Sequence, residues 1–258
     1  MSPDERNTPV SIIGRFSAIL DCYSHRDSSL SISELSRKTG LPKSTTSRLV
    51  TEMISHGFLE HQGPKITLGL RFFELGQQAA RPQTLRRLAY AQMEGLRRAT
   101  GQTVHLAVLD GTHVVYIEIL PTRNSPLLPS RVGGRIPAHA TAVGKAILAF
   151  SNPEITEQMI SEGLSKIGPN TITEPDSFRA ELWRTRSRGY ATESEESGTD
   201  ISCVAAPILV RDGVPVAGIS VSGWKKDIDV PASTSALRSA IESLTQQVDK
   251  LPSRHQTI

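Results

Sequence analysis

Two short helix patterns joined by a tight turn constrain the start of this 258-residue chain most strongly. Ser31 and Glu34 have capping-box spacing, which predicts a helix that starts at Ser31 and stops at Gly40. A second helix is predicted to follow at once, with Pro42 in its first turn and Gly57 at its end. Its inward face would carry Thr46, Leu49, Val50 and Met53. This order predicts a helix-turn-helix motif.

Flanking elements complete a small domain, predicted to span residues 1–70. Apolar residues with the spacing of one helix face indicate a preceding helix that starts at Thr8-Pro9. These residues are Ile12, Ile13, Phe16, Ile19, Leu20 and Tyr23. After the motif, residues 58–62 and 65–68 read as strands around Gly63-Pro64, which predicts a hairpin. The hairpin would make the motif a winged helix-turn-helix.

The charge pattern of the motif indicates its partner. Between residues 37 and 51 the chain has four cations, no acidic residue and several small hydroxyl residues. The set is Arg37, Lys38, Lys43, Ser44, Thr45, Ser47, Arg48 and Thr51. Cations and hydroxyls bind phosphate oxygens, and Arg or Lys can reach guanine edges, so these residues are predicted to bind double-stranded DNA. The alternative is a structural or dimerisation module with a basic patch.

The remaining chain predicts a linker helix at 71–82, broken or bent by Pro82, and a second domain at 83–258. Hairpins are predicted at 103–120, with Asp110-Gly111 as the turn, and at 202–222, with Asp212-Gly213 as the turn. Helices are predicted at about 141–150, 153–163 and 174–188, and a last one near the end of the chain. Because helices bracket antiparallel hairpins without βαβ alternation, the predicted fold class is α+β.

Composition excludes several classes of protein. The two cysteines, Cys22 and Cys203, exclude a disulfide scaffold and a Cys-rich zinc site, and they fit a reducing cytosol. The histidines show no metal spacing with carboxylates. No apolar run approaches the roughly 20 residues of a membrane helix, and the N-terminus does not resemble a signal peptide. We therefore expect a cytoplasmic protein without metal, cofactor or membrane partner.

The segment at 139–146 is similar to a phosphate-binding loop of nucleotide-binding proteins but lacks two of the residues which that motif requires. That loop requires Gly at 139 and Ser or Thr at 146, whereas the chain has His139 and Ala146. His139 and Lys145 belong to no visible nucleophile, base and acid set, so no catalytic residue is predicted. What remains is a helix start led by a threonine, where backbone N–H groups near Ala142 and Val143 suit a carboxylate.

Several motifs together resemble the IclR family of transcriptional regulators. Residues 31–50 resemble its winged helix-turn-helix, and residues 137–149 resemble its effector-domain signature. Residues 188–191, the pair Glu195-Glu196, and residues 203–208 and 219–223 follow in the family's order. The resemblance implies a DNA-binding domain joined by a helix to a GAF-like effector-binding domain, in a homodimer or a dimer of dimers. It also implies effector contacts from Ala142, Val143, Glu193, Cys203, Ser220 and Ser222.

The effector site leaves alternatives open. Ser220 and Ser222 alternate along one strand and so point to one face, but they can also be ordinary small core residues. A carboxylate effector requires Glu193 to be turned away, paired or protonated; an inward Glu193 would favour a neutral or cationic ligand.

The function predicted from the sequence is a DNA-binding transcriptional regulator controlled by a small metabolite, expected to be a small organic acid. One alternative is a GAF-like small-molecule sensor or enzyme that uses the N-terminal unit only for assembly. Another is an architectural nucleic-acid-binding protein without a ligand, but the full effector-like domain argues against it.

Overall fold

The computed structural model describes residues 11–24 and 27–248. The chain forms two compact units, Met1–Ala79 and Ala80–Ile258. Among the described residues, none of the helices is long and apolar enough to cross a membrane.

The N-terminal unit contains three helices, a three-stranded sheet and a further short helix. Its helices are α1 (Ile12–Leu20), α2 (Ile32–Thr39), α3 (Lys43–Ser55) and α4 (Arg71–Gln77), and its strands are β1 (Ser29–Leu30), β2 (Leu59–Gln62) and β3 (Lys65–Leu68). The sheet is antiparallel, in the order β1-β3-β2. The predicted hairpin is therefore confirmed, whereas β1 was not predicted because two residues carry no strand pattern of their own.

Local signals set the ends of these helices. The capping box is present, since Ser31 accepts from the Glu34 N–H and the Glu34 carboxylate accepts from the Ser31 N–H. Gly40 ends α2 in the left-handed conformation, at φ 72°. Pro42 was predicted in the first turn of α3, but it is the N-cap residue, one position before the helix begins at Lys43. The predicted start at Thr8-Pro9 lies outside the described residues, and α1 begins after Ser11, whose side chain caps it.

The C-terminal unit is a six-stranded antiparallel sheet with helices against it, as the α+β prediction requires. The strand order is β6-β5-β4-β9-β8-β7. The strands are β4 (Thr103–Asp110), β5 (His113–Leu120), β6 (Arg135–Pro137), β7 (Ala191–Ser194), β8 (Ile201–Leu209) and β9 (Pro215–Trp224). The helices are α5 (Ala80–Thr100), α6 (Ala142–Leu148), α7 (Pro153–Glu162), α8 (Pro175–Arg188) and α9 (Val230–Val248).

Most predicted elements of this unit are confirmed, with small shifts. The first hairpin turns at Gly111-Thr112, because Asp110 pairs with His113 in the ladder. The helical break predicted at Pro82 lies earlier, between Gln77 and Ala80. Pro82 instead occupies the first turn of α5, where a residue without an N–H is tolerated. The short strands β6 and β7 were not predicted.

Helix α6 is buried along its whole length against the sheet. Two glycines permit this close approach. A Cβ at Gly218 of β9 would lie 2.7 Å from Val143 Cγ2, and one at Gly144 would lie 2.1 Å from the backbone oxygen of Ala138. The start of α6 therefore packs closely between β9 and the preceding turn.

Candidate functional site

Helix α3 presents one buried face and one exposed face. Thr46, Leu49, Val50 and Met53 are buried, as predicted, in the core of the N-terminal unit. At 100° per residue, Ser44, Arg48 and Thr51 lie on the opposite side, and all three are exposed. Lys43 is exposed at the start of the helix, and Thr45 and Ser47 are half-buried at its flanks. The predicted DNA-contacting residues of α3 therefore line a surface that a duplex could approach.

Electrostatics distinguish the cations of this region. Among residues 11–24 and 27–248, neither Lys43 nor Arg48 has an ion-pair partner, so both charges are available to phosphates or bases. Lys38 instead pairs with Asp27, at 2.7 Å between Nζ and Oδ2. This ion pair occupies the Lys38 charge, so the structure supports Lys38 less well than Lys43 or Arg48 as a phosphate contact. Arg37 is exposed in the last turn of α2.

The first turn of α3 also offers backbone donors. Pro42 caps the helix without a side-chain hydrogen bond, so the N–H groups of the first turn have no side-chain acceptor. Such N–H groups at the positive end of a helix dipole are suited to a phosphate oxygen.

In the C-terminal unit, the six predicted effector residues line one cavity. These residues are Ala142, Val143, Glu193, Cys203, Ser220 and Ser222. The cavity has a volume of about 20 Å³, which suffices for a water molecule. Its remaining polar walls are His105, Tyr116, Ser130, Thr141 and Ser197, and no Lys or Arg lines it among the described residues.

Strand register brings these residues together. Cys203 of β8 lies opposite Glu193 of β7 on one side and Ser222 of β9 on the other. Ser220, two residues from Ser222, lies opposite His105 of β4. The two serines share one face of β9, and both face the cavity, as the alternation predicted.

Glu193 points inward and is satisfied by protein donors. Its carboxylate accepts from the Cys203 thiol at 3.1 Å, the Ser197 hydroxyl at 3.1 Å and the Glu196 N–H at 2.9 Å. Burial raises the pKa of Glu193, and these three hydrogen bonds oppose the rise. Glu193 is therefore not turned away from the cavity, and its carboxylate is hydrogen-bonded to three protein donors. The carboxylate thus reaches the cavity wall with much of its acceptor capacity already used.

His105 is the principal wall residue that the sequence analysis did not single out. It is 2 % exposed, and burial lowers its pKa to about 4, so its ring is neutral near pH 7. Its Nδ1 lies 3.3 Å from Ser222 Oγ and its Nε2 lies 2.8 Å from Ser130 Oγ. A neutral imidazole donates through one nitrogen and accepts through the other. One of the two serine hydroxyls therefore accepts a hydrogen bond from His105, and the other donates one to it. Only the β4–β9 register, which no local pattern reveals, would have identified it.

The start of α6 provides further donors. Thr141 accepts from the Gly144 N–H at 3.0 Å and so caps the helix, as the sequence predicted. The N–H groups of Ala142 and Val143 precede the first intrahelical bond, which runs from Lys145 to Thr141. The Ser220 hydroxyl has no hydrogen-bond partner among the described residues. The cavity therefore combines hydroxyl and N–H donors without a cation.

A buried ion pair lies behind the cavity. Lys145, 1 % exposed, contacts Glu196 at 2.5 Å and Glu181 at 3.9 Å. Glu196 in turn donates its backbone N–H to Glu193. His139 donates through Nε2 to the Ser165 backbone oxygen, 2.9 Å away, because a carbonyl oxygen can only accept. Lys145 and His139 thus have structural partners.

Comparison with known proteins agrees with both sites. The family model of the IclR helix-turn-helix domain matches residues 13–63, and the model "Bacterial transcriptional regulator IclR C-terminal" matches residues 77–250. The chain belongs to the IclR family. The predicted family resemblance is confirmed, and this IclR-family protein is a ligand-responsive, DNA-binding transcriptional regulator.

Curated relatives and solved structures match over nearly the whole chain. The regulator XynR of Escherichia coli is 32% identical over 82% of this chain and 85% of its own, and the regulator KdgR of the same organism is 32% identical over 85% and 83%. An IclR homolog of Microbacterium hydrocarbonoxydans, crystallised with 4-hydroxybenzoate, aligns with a TM-score of 0.86 at 29% identity, covering 92% of this chain and 99% of its own. The Thermotoga maritima IclR structure aligns with a TM-score of 0.74 at 28% identity, covering 91% and 97%.

Proposed function

We propose that α3 is the recognition helix of this regulator and that its exposed face enters the major groove of operator DNA. The observation that carries this proposal is the position of Ser44, Arg48 and Thr51 opposite the buried face, with Arg48 free of any ion pair among the described residues. The Lys43 side chain and the N–H groups of the first turn of α3 would hold a phosphate, while Arg48 would reach a base edge. Arg37, Thr45 and Ser47 would add contacts at the edges of the interface.

Fluorescence anisotropy with a labelled operator tests this assignment. If Arg48 contacts a base, Arg48→Ala costs about 1–3 kcal/mol on the operator and less on unrelated DNA. Lys43→Ala is expected to weaken binding to all sequences alike and to lower the salt slope by about one. Arg87→Ala is the matched control, because Arg87 is an exposed arginine of α5 without an ion pair among the described residues. Unchanged binding in both α3 variants would refute the assignment.

We further propose that the effector cavity binds a small organic acid. The Ser220 hydroxyl and the N–H groups of Ala142 and Val143 supply donors, and the 4-hydroxybenzoate in the Microbacterium hydrocarbonoxydans homolog supports this ligand class. Glu193 is compatible with an acid because its oxygens are held by three protein donors. At about 20 Å³ the cavity must enlarge to admit such a ligand. The wall with the fewest ties to regular structure is Leu128–Ser130, in the connection between β5 and β6.

A thermal-shift screen of small carboxylates, with 4-hydroxybenzoate among them, identifies the acid, because a ligand bound only to the folded state raises the melting temperature. Calorimetry on Ser220→Ala/Ser222→Ala is then expected to show weaker binding of that acid, while DNA binding without it stays nearly intact. Ser233→Ala, a buried serine of α9 outside the cavity, is the control. Equal affinity in the double variant and the parent would place the effector elsewhere. Tighter binding to Glu193→Gln would support an acid, and weaker binding would indicate a neutral or cationic ligand.

We also propose that the protein acts as a homodimer, or as a dimer of dimers, on a palindromic operator in the cytoplasm, without catalytic activity. The N-terminal unit exposes Ile12, Ile13, Leu70, Phe73 and Leu75. Helices α1 and α4 both contact Phe58, through Phe16 and Phe72. The exposed apolar side chains on and beside these helices suit a second copy. A footprint with two half-sites about 34 Å or a multiple apart is expected. A monomer at micromolar concentration in light scattering would refute the dimer.

A further inference from the structure

A second cleft in the C-terminal unit has no part in the function proposed above. It lies where the end of α8 and the start of β7 meet α9 and β8, and its volume is about 320 Å³. Small-molecule sites occupy about 300–1,000 Å³. The cleft shares no lining residue with the effector cavity. Its apolar walls are Phe150, Ala206, Pro207, Leu209, Leu237 and Ile241.

Two arginines stand at the rim of this cleft. Arg188 stacks on the Tyr190 ring at 4.9 Å. It donates through Nε to the backbone oxygen of Tyr190 and through Nη2 to the Glu181 carboxylate. Its Nη1 makes no hydrogen bond among the described residues. Arg238 on α9 is exposed and has no ion pair there either, although Glu242 lies one turn away. Glu181 also pairs with Arg184 and Lys145, so it does not neutralise Arg188 alone. The charged residues at the rim without an ion pair among the described residues are Arg238 and Glu242.

We propose that this cleft is a second small-molecule site, for a compound with an apolar body and a carboxylate. The apolar walls would cover the body of the ligand, and the carboxylate would bind Arg238 and the remaining N–H donors of Arg188. A planar guanidinium suits this role because its donors match two carboxylate oxygens. Thr234 and Thr245 add hydroxyls on the α9 side of the cleft. Glu242 would repel a carboxylate placed next to itself, so the carboxylate is expected between Arg238 and Arg188.

Calorimetry with cinnamate and its neutral analogue cinnamamide tests the site on the full chain. Both are measured with the parent and with Ser220→Ala/Ser222→Ala, so that binding at the effector cavity is separated from binding at the cleft. In both backgrounds cinnamate is expected to bind about tenfold more tightly than cinnamamide, as a charge-assisted hydrogen bond would give. Arg238→Ala is expected to remove this preference. Thr245→Phe, which fills the cleft with a ring, is expected to abolish binding of both compounds in the double-serine background.

Arg87→Ala is the control, since it removes an exposed helical arginine outside the cleft. The proposal is refuted if cinnamate fails to bind the double-serine protein, if it binds no better than cinnamamide, or if Arg238→Ala and Thr245→Phe leave its affinity unchanged. Light scattering of the same variants addresses a competing occupant. If Thr245→Phe instead dissociates an oligomer, the cleft is covered by a second copy of the chain and the proposal fails.

Discussion

Replacing His105 with glutamine should flatten the dependence of stability on acid pH. The pKa of His105 is lowered by burial from 6.5 to about 4, whereas in the unfolded chain it returns to its ordinary value. Between these two values the unfolded state binds more protons, so the free energy of unfolding decreases as the pH falls. Integrating this difference from pH 7 to pH 5 gives a loss of about 2 kcal/mol for His105 alone. His105→Gln removes that contribution and keeps an uncharged side chain that can form hydrogen bonds.

The assay is urea or thermal unfolding of parent and variant at pH 7 and pH 5, without effector. About 2 kcal/mol corresponds to about 4–8 °C in melting temperature for a domain of this size. Glu193 acts in the opposite direction, because burial raises its pKa and the folded state then gains protons as the pH falls. The comparison between parent and variant cancels this contribution. His61→Gln, at an exposed position of β2, is the control.

The outcome depends on the pH difference rather than on the stability of the variant itself. If His105→Gln loses as much stability between pH 7 and pH 5 as the parent, His105 is not a neutral buried group in the folded state. The hydrogen bonds from its ring to Ser222 and Ser130 would then require a different assignment.

Two further changes test the interior of the C-terminal unit by chemical unfolding. Lys145→Met is expected to cost about 3–5 kcal/mol of unfolding free energy, because it leaves Glu196 buried without its partner. The double variant Lys145→Met/Glu196→Gln should recover much of that loss. Equal stability of the single and double variants would contradict the ion pair. Gly144→Ala is expected to cost about 1–3 kcal/mol, since the new Cβ would meet the backbone oxygen of Ala138. Gly95→Ala on α5, which has open space around it, should instead stabilise the protein by about 0.5–1 kcal/mol. Loss of stability in both variants would contradict the steric explanation.

The cavity lined by the predicted effector residues shows what tertiary structure adds to a set of candidate residues. Resemblance to a family pointed to Glu193, Cys203 and the two serines, and all of them line one cavity. The sequence left open whether Glu193 was turned away, paired or protonated. That answer depends on the Ser197 hydroxyl and the Glu196 N–H, which reach its carboxylate through the turn between β7 and β8. No periodicity or composition encodes such a contact.

The sequence by itself determined the features that depend on neighbours a few residues apart. The Ser31–Glu34 capping box, the left-handed Gly40 and the two sides of α3 were predictable because backbone geometry and helix period act locally. Only the tertiary structure decided how residues distant in the sequence contact one another. The addition of β1 to β3 and the placing of His105 against Ser220 each depend on strand register, joining residues dozens to more than a hundred positions apart. Register is chosen by the packing of both sheet faces together, so it could not be read from any one segment.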